Sequence, residues 1–350
     1  MIRTYLDKIG SAARTAGIEL VSYLSREVVA EEGYVVAVRV LNDKAVYNLL
    51  ENVHGRLMRI RPGDQIAGVL GHRRALRGYA GYVPETIAAG DKLNILNMGG
   101  VIGLCTSYAP DVGEPFEVEV LGAVLHFPYL GERIGEPAHI RVNAISSPER
   151  AEPPVPIVAV VGTCMDVGKT QAACQIIHGL SRRSVRVSGG KVTGVGLRRD
   201  VLNMIDHGAY EALSFLDAGF VSTAPETAPQ ATWQIVNRLS REKPEVIVLE
   251  FGDGLLGDYG VQAVLADRSF TSLIKAVVVC ANDPVGAWGA VHLLKEKYGL
   301  STHVVTGRVT DNEVGCAFAE TQLAVPAANA LKMPGKLLEC VCMEVFGRVC

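Results

Sequence analysis

The sequence predicts an α/β protein in which a mostly parallel sheet with a phosphate loop follows a smaller, β-rich, barrel-like domain. Three observations predict this fold class. A strand, a glycine-bounded loop and a helix succeed one another from Ile157 to Leu180. Apolar strands and helices alternate through the rest of residues 151–350, which is typical of a parallel sheet covered on both faces. Residues 1–150 instead hold short β-branched segments between turn sequences, which indicate a small barrel or sandwich.

The phosphate loop is predicted in GTCMDVGKT, from Gly162 to Thr170. The apolar run Ile157–Val161 predicts a buried strand before it, and Gln171–Leu180 has the apolar spacing of a helix after it. In this context backbone N–H groups point at an anion, a lysine reaches the terminal phosphates and a threonine hydroxyl binds Mg²⁺. The nucleotide-binding residues expected from the motif are Gly162, Thr163, Asp166, Val167, Gly168, Lys169, Thr170 and Gln171.

The spacing within this loop is unusual. Five residues, Thr163–Val167, separate the first glycine from the GK pair, whereas the common motif has four. An ordinary strand-to-helix turn with a chance GKT is the alternative. The strand before the loop and the helix after it favour the nucleotide interpretation.

Composition excludes several classes of function. The chain has 350 residues, which is long enough for two domains. Its 34 basic and 37 acidic side chains are spread along both halves and give a net charge of −3, so no basic face argues for nucleic acid. A basic start followed by an apolar core is absent, as is any apolar run of about 18 residues. We therefore expect a cytoplasmic protein that binds neither membrane nor nucleic acid.

Residues 1–150 form the predicted β-rich domain. The apolar spacing of Tyr5–Leu24 predicts an N-terminal helix. The predicted strands that follow are Tyr34–Leu41, Leu57–Ile60, Gln65–Leu70, Lys92–Leu96, Phe116–Leu121 and Ala138–Val142, separated by glycine and proline turns. Arg73, Arg74 and Arg77 cluster in one segment, where a solvated loop is favoured over a grip on an anionic substrate.

The proline-rich segment Ser146–Pro156 cannot continue a helix or a central strand, so it is the expected linker to the domain of residues 151–350. The strands predicted beyond the phosphate loop are Val185–Ser188, Val246–Phe251, Ala276–Ala281 and Thr302–Thr306. The predicted helices are Asp206–Ala218, Gln230–Arg241 and Val285–Lys297. Ligands of such sheets bind outside the carboxyl ends of the strands, so the residues that follow the strands carry the predicted site.

Three charged residues stand near those strand ends. Glu250 closes an apolar strand, where an acid that holds Mg²⁺ is expected. Lys191 follows a neighbouring strand and is placed to neutralise a substrate carboxylate or the transferring phosphoryl group. Asp200, in the loop GVGLRRD, is a further candidate metal ligand. For each of them the alternative is a solvated charge or a helix cap. Asn312 is a candidate base contact, with a turn role equally open.

Three motifs together resemble dethiobiotin synthetase and the related cobyrinic and cobyric acid synthases. GTCMDVGKT is similar to their five-residue-spaced phosphate loop. KVTG, which begins at Lys191, is similar to a segment that follows strand two in dethiobiotin synthetase. EFGDGLL, which begins at Glu250, is similar to that family's EGAGGLL. The resemblance covers about Ile157 to Leu300 and says nothing about residues 1–150. Val192, Phe251 and Asp253 depart from the pattern, and no segment matches a glutamine-hydrolysing domain, so dethiobiotin synthesis and ammonia transfer from glutamine are not expected.

The resemblance implies an ATP- and Mg²⁺-dependent enzyme of a dimer-forming class that includes the septum-positioning ATPases. Such enzymes phosphorylate the carboxylate or carbamate of a small substrate, and a nitrogen then attacks the mixed anhydride. Carried onto this sequence, Lys169 and Lys191 become the catalytic cations that bind phosphate and substrate. Thr170, Asp200 and Glu250 become the Mg²⁺ ligands. A homodimer and a small carboxylate substrate are the implied partners.

Two functions from different classes stay open. The first is an ATP-dependent kinase or ligase that activates a small carboxylate by charge neutralisation and alignment. The second is a nucleotide-switched binding protein whose N-terminal domain engages a partner or effector, with slow hydrolysis as the timer. Lys191 favours the first, because a pure switch has less need of a cation on the substrate side.

Overall fold

The chain divides into two compact units in a computed structural model that describes residues 1–129, 131, 134–146 and 155–349. Unit 1 consists of Met1–Ile145, Val195–Arg199 and Phe215–Ser222. Unit 2 consists of Ser146–Gly194, Asp200–Ser214 and Thr223–Cys350. Two short segments from the second half of the chain therefore fold with the N-terminal unit. Most of the predicted linker, residues 147–154, lies outside the described residues.

Unit 1 is built almost wholly from strands. They are β1 Ile2–Tyr5, β2 Lys8–Ile9, β3 Val21–Ser25, β4 Val35–Val40, β5 Leu49–Glu51, β6 Leu57–Arg59, β7 Gln65–Leu70, β8 Arg73–Arg74, β9 Tyr79–Tyr82, β10 Lys92–Ile95, β11 Val101–Tyr108, β12 Phe116–His126 and β13 Glu136–Pro137. A 3₁₀ helix covers Ser11–Ala16. The prediction of a β-rich first part of the chain is confirmed.

Five of these strands close into a ring. β4 pairs with β12 and β7, β7 pairs with β11, β11 pairs with β10, and β10 pairs with β12. Alternate side chains of these strands, such as Val36 and Val38 of β4 and Val118 and Val120 of β12, are buried in one apolar cluster. Closure of this kind satisfies the strand edges internally, as expected for a barrel-like unit.

Two predictions in this unit are wrong. Tyr5–Leu24 is not a helix, because strands β1 and β3 pair with each other and only Ser11–Ala16 coils between them. Gly17 ends that short helix at φ 66°, a left-handed conformation that glycine adopts without strain. Ala138–Val142 is not a strand, because residues 140–142 form a turn in which the Val142 amide donates to the His139 carbonyl at 3.1 Å.

The returning segment Phe215–Ser222 is held by ion pairing and hydrogen bonding. Arg14 Nη1 lies 2.7 Å from Asp217 Oδ1, and the Ser222 hydroxyl donates to Glu32 Oε1 at 3.0 Å. Burial raises the pKa of Glu32, and the hydrogen bonds from the Ser222 hydroxyl and amide oppose this effect. The segment is therefore fixed by side chains from the N-terminal part of unit 1.

Unit 2 alternates strands and helices, as predicted. The strands are β14 Ile157–Gly162, β15 Val187–Thr193, β16 Ala212–Ser214, β17 Val246–Phe251, β18 Ile274–Cys280 and β19 Val304–Thr306. The helices are α1 Lys169–Ser181, α2 Arg199–Asp206, α3 Ala228–Ser240, α4 Val261–Ala266, α5 Arg268–Thr271, α6 Pro284–Tyr298, α7 Glu313–Gln322 and α8 Pro334–Phe346.

The six strands form one parallel sheet in the order β16-β15-β17-β14-β18-β19. Because the strands are parallel, their carboxyl ends all lie at the same edge of the sheet. The phosphate loop leaves the central strand, β14, at this edge. A parallel sheet with a glycine-rich loop between its central strand and the next helix is the fold of a P-loop NTPase domain. Within the described part of the chain, no helix has the length and apolar character needed to cross a membrane.

Two glycines that follow the predicted strand Val185–Ser188 lie inside β15. A Cβ on Gly189 would come within 2.8 Å of Met204 Sδ, and one on Gly190 within 2.7 Å of Leu249 Cδ2. The pair is therefore needed for close packing on the two faces of the sheet rather than for a turn. As a result β15 continues to Thr193 and carries Lys191 inside the strand, beyond the predicted end at Ser188.

The helix predicted over Asp206–Ala218 is also wrong. A helix, α2, ends where that prediction begins, and Gly208 follows it at φ 99°. β16 then pairs with β15, and Phe215 begins the segment that belongs to unit 1. Long-range pairing overrides local helical spacing in this stretch.

Candidate functional site

The loop of residues 163–168 leaves the carboxyl end of β14 and turns directly into α1. Gly168 precedes the helix at φ 99°, a conformation that is costly for any residue with a side chain. Lys169 and Thr170 are the first two residues of α1. Their amides are among the first N–H groups of the helix, which have no partner within it and carry its positive partial charge. The loop is therefore shaped as an anion-binding turn.

Neighbouring strand ends hold the loop in place. The Thr163 amide donates to the Cys280 carbonyl of β18 at 3.0 Å, and the Leu255 amide donates to Gly162 at 2.9 Å. A Cβ on Gly254 would lie 2.5 Å from the Thr163 carbonyl oxygen, so the chain after β17 packs directly on the loop backbone. These contacts fix the direction of the loop at the centre of the sheet edge.

Lys169 folds back over this loop. Its side chain is buried, and Nζ donates to the Cys164 carbonyl at 2.7 Å. A Cβ on Gly162 would lie 2.8 Å from Lys169 Cδ, so only glycine leaves room for the lysine stem. Burial lowers the pKa of Lys169, an effect that the nearby Glu250 carboxylate opposes. The ammonium group thus sits where a phosphate oxygen could replace the loop carbonyl as its acceptor.

Thr170 and Glu250 meet across the gap between α1 and β17. The Thr170 hydroxyl donates to Glu250 Oε1 at 2.9 Å, and only 2% of Glu250 is exposed. Burial raises the pKa of Glu250. Among the described residues, its second oxygen, Oε2, has no hydrogen-bond partner. A buried carboxylate oxygen left without a donor is costly, and a cation would satisfy it.

Lys191 connects this pair to Asp200. Lys191 Nζ forms a short ion pair with Asp200 Oδ2 and lies 3.9 Å from Glu250 Oε1. All three side chains are largely buried, and Asp200 sits in the first turn of α2 rather than in a loop as predicted. One ammonium group therefore lies among two carboxylates, beside the threonine of the phosphate loop.

The remaining residues of the predicted loop differ in exposure. Val167 is buried and packs in the core, whereas Thr163 and Gln171 are half-buried. Asp166 is exposed and adopts φ 57°, a left-handed conformation that aspartate tolerates better than most residues. The structure thus brings Lys169, Thr170, Lys191, Asp200 and Glu250 together, with the other loop residues around them.

Asp253 was not among the predicted site residues. It is buried after the end of β17, at φ 65°, and its carboxylate, like that of Glu250, opposes the lowering of the Lys169 pKa by burial. An acidic residue between Gly252 and Gly254 was the available signal in the sequence. A left-handed conformation at a non-glycine residue beside the phosphate loop is a strained feature of the kind that concentrates at functional sites.

Three other candidates have structural roles. Asn312 caps α7, since its side-chain oxygen accepts from the Val314 and Gly315 amides at 3.1 and 3.4 Å. Arg73 is buried in unit 1 instead of solvated, and its Nη1 donates to the Tyr47 hydroxyl at 3.0 Å. Arg77 forms an exposed ion pair with Asp111. None of these contacts requires a bound ligand.

The oxygen donors fit Mg²⁺. Mg²⁺ takes hard oxygen ligands, commonly one or two from protein and the others from phosphate and water. Thr170 Oγ1 and the unpartnered Glu250 Oε2 supply such donors, and Asp200 stands next to them across Lys191. Groups of three or more His, Cys, Asp or Glu side chains able to hold a metal by themselves do not occur among the described residues.

Comparisons with known proteins give only distant similarities. No protein-family model matches the chain, and no curated protein matches it. Among solved structures, the signal recognition particle receptor FtsY from Elizabethkingia anophelis is similar with 12% identity and a TM-score of 0.38, over 55% of this chain and 67% of that one. FtsY from Thermotoga maritima has 13% identity and a TM-score of 0.36, over 57% and 71%.

A DUF1611 family protein from Anabaena variabilis is similar at a comparable level. It has 15% identity and a TM-score of 0.40, and the match covers 54% of this chain and 57% of that protein. Values this low transfer no function. The strand order and the phosphate loop of unit 2 define its P-loop NTPase fold.

Proposed function

We propose that the protein is an ATP-using, Mg²⁺-dependent enzyme that activates a small carboxylate substrate by phosphoryl transfer, as a kinase or as the first half of a ligase. The observation that carries the proposal is the position of Lys191. Its ammonium group lies 3.9 Å from the carboxylate that accepts from Thr170, so a second cation stands beside the phosphate loop. A cation there is suited to an anionic acceptor.

Each residue then has a defined task. Lys169 and the amides at the start of α1 bind the phosphates. Thr170 and Glu250, with Asp200, hold Mg²⁺, which supplies charge neutralisation at the phosphate oxygens. Lys191 orients the substrate carboxylate and offsets the repulsion between it and the triphosphate. A carboxylate is already ionised at neutral pH, so its attack requires no general base from the protein.

The test is ADP formation, measured with ATP and Mg²⁺ in the presence and absence of a panel of small carboxylates and amines. The expected result is that at least one carboxylate accelerates ADP release. Lys191→Ala is expected to retain nucleotide binding and lose this acceleration. If no compound changes turnover while nucleotide still binds, the carboxylate-activating function is wrong.

The second candidate is a nucleotide-switched binding protein. It is favoured by one observation, that Val195–Arg199 belongs to unit 1 although it connects Lys191 to Asp200 along the chain. Order changes in a segment joined along the chain to residues of a nucleotide site are a common way for a nucleotide to control a partner. Two measurements distinguish the candidates: titration with ATP, GTP and their diphosphates, and the rate of hydrolysis without a small acceptor. A switch is expected to bind both the triphosphate and the diphosphate tightly and to hydrolyse the triphosphate slowly.

A homodimer is part of the proposal. The resemblance of the three motifs to a dimer-forming class supports it. Light scattering with and without Mg²⁺ and a non-hydrolysable ATP analogue measures the mass, and a monomer under both conditions would contradict the dimer while leaving the chemistry open.

A further inference from the structure

The five residues Val195–Arg199 join the two charged partners of the candidate site. Lys191 lies before them in β15, and Asp200 comes directly after Arg199 in the first turn of α2. The chain leaves unit 2 at Gly194 and re-enters it at Asp200, and the residues between fold as part of unit 1. Whatever fixes these five residues in unit 1 therefore fixes the covalent anchor of Asp200.

Asn97 holds the middle of this segment. Its Nδ2 donates to the Gly196 carbonyl at 2.8 Å. Its Oδ1 accepts from the Gly99 and Val101 amides at 3.0 and 3.2 Å, so the orientation of the amide is determined by three contacts. A Cβ on Gly99 would lie 2.0 Å from the Gly196 oxygen, which shows how closely the two backbones approach.

Glu51 holds the end of the segment. The side chain is fully buried, and Oε2 accepts from the Arg198 amide at 2.9 Å and from the Ser11 hydroxyl at 2.7 Å. Within the part of the chain that the structure describes, Glu51 Oε1 has no hydrogen-bond partner. A carboxylate buried in this way costs stability, so packing alone gives no reason for an acid at this position.

We propose that Glu51 and Asn97 are positioning residues for the candidate site: they fix Val195–Arg199 so that Asp200 enters α2 facing Lys191. The proposal rests on the proposed function, in which Asp200 contributes to Mg²⁺ binding. It gives these two residues a part in metal binding, because they hold the segment whose last residue, Arg199, is bonded to Asp200. Asn97 contacts the Gly196 carbonyl and Glu51 the Arg198 amide, so both act through the backbone of the segment.

The variants separate positioning from folding. Asn97→Asp keeps the acceptor oxygen for Gly99 and Val101 but replaces the donor to Gly196 with an oxygen, which repels the carbonyl. Glu51→Ala removes the acceptor for the Arg198 amide, whereas Glu51→Gln keeps an acceptor of nearly the same shape. Glu51→Gln is therefore the matched control, expected to behave as the wild type.

The main measurement is the gain in affinity for a non-hydrolysable ATP analogue on adding Mg²⁺, obtained from titrations with and without the metal. Outer residues that orient metal ligands typically contribute about 10–100-fold to metal affinity or activity. We expect Asn97→Asp and Glu51→Ala to lower this gain by about 10-fold, with the metal-free affinity unchanged. Hydrogen exchange of the amides in residues 195–199 should become faster in the same variants.

A double-variant test decides whether the effect passes through Asp200. In an Asp200→Asn background, adding Asn97→Asp should change the Mg²⁺-dependent gain no further. Equal effects in both backgrounds, or no effect of either variant in the wild type, would overturn the proposal. If Glu51→Ala does not fold, Asn97→Asp and Glu51→Gln carry the same test. An absence of phosphoryl transfer in the wild type would contradict the proposed reaction alone, because the affinity titrations do not depend on turnover.

Discussion

The Thr170 hydroxyl donates a 2.9 Å hydrogen bond to Glu250 Oε1, joining the first turn of α1 to the end of β17. Thr170 follows the phosphate loop and Glu250 lies near the end of a later strand, the order expected in a P-loop site. The strand that precedes the loop, β14, and the strand that holds Glu250, β17, are adjacent in the sheet. The bond fixes one carboxylate oxygen and leaves the other without a donor among the described residues. An oxygen prepared in this way favours a cation, so the pair is the structural basis of the Mg²⁺ assignment.

Glu250→Gln should stabilise the metal-free protein at neutral pH. Burial raises the folded-state pKa of Glu250 above its ordinary value of 4.5. Between 4.5 and the higher folded-state pKa the native state binds more protons than the unfolded chain, so stability falls as pH rises through this window. The glutamine side chain does not titrate, so the variant does not lose stability in this way. Thermal melts without metal should show a higher Tm for the variant at pH 7 and a vanishing difference near the unfolded-state pKa.

Added Mg²⁺ and nucleotide should reverse this order, because the wild type gains stability from ligands that the variant binds less well. A variant that melts below the wild type at neutral pH without ligand would contradict the charge argument.

Lys169→Ala should lose nucleotide affinity on either proposed function. The ammonium group contacts the Cys164 carbonyl at 2.7 Å, in the loop where phosphate oxygens are expected. Loss of a hydrogen bond to a charged group corresponds to about 1.5–3 kcal/mol, or roughly a 10- to 150-fold weaker Kd. Lys297→Ala, in the last turn of α6, is the control and should bind as the wild type. Unchanged ATP affinity in Lys169→Ala would reject the phosphate-loop interpretation.

The local parts of this site could be predicted from the sequence. The apolar run before Gly162, the GKT sequence and the helical spacing after it are all short-range patterns, and they place Lys169 and Thr170 correctly at the start of a helix. Glu250 follows for the same reason, because an uninterrupted apolar run ends in it. These features depend on neighbours in sequence, which is what pattern and propensity report.

The non-local parts could not be predicted in this way. The predicted strand ends at Ser188, before Gly189 and Gly190, but Met204 and Leu249 pack where the side chains of these glycines would be, and the strand continues past them. The segment Val195–Arg199 has the glycine and arginine content of a loop, and nothing in it reveals that it folds with unit 1. Partners distant in sequence determine both outcomes, and no local propensity encodes them.

Gly254→Ala should disturb the phosphate loop. The backbone there has no left-handed requirement, yet a Cβ would lie 2.5 Å from the Thr163 carbonyl oxygen. Overpacking of this kind costs about 1–3 kcal/mol, part of it as displacement of the loop. Calorimetric titration should show weaker ATP binding. Gly289→Ala is the matched control, since its Cβ meets nothing within 4 Å and helix α6 should gain about 0.5–1 kcal/mol.

Equal nucleotide affinity in the two glycine variants would show that the chain after β17 does not constrain the loop. A loss confined to Gly254→Ala identifies that packing as part of the binding site.

Asn312→Ala should affect stability and leave nucleotide binding unchanged. The side-chain oxygen caps α7 by accepting from the Val314 and Gly315 amides. Loss of such a cap costs about 1 kcal/mol, and Asn312→Ser, which also caps, should recover most of it. Denaturant melts measure the first effect, and titration with ATP and GTP measures the second. A selective loss of affinity for one base would restore the base-contact interpretation.

Lys191→Met should destabilise the metal-free protein because it leaves Asp200 and Glu250 buried beside each other without their shared cation. Removing one partner of a buried ion pair costs about 3–5 kcal/mol, since the remaining charge stays desolvated. Denaturant unfolding at neutral pH measures the loss, and Lys92→Met, which breaks an exposed pair with Glu117, should change stability little. Adding Asp200→Asn to Lys191→Met should restore much of the stability, because it removes one of the two like charges that then lie beside each other. Independent, additive effects of the two substitutions would show that Lys191 and Asp200 do not act as a pair, and would withdraw Asp200 from the candidate site.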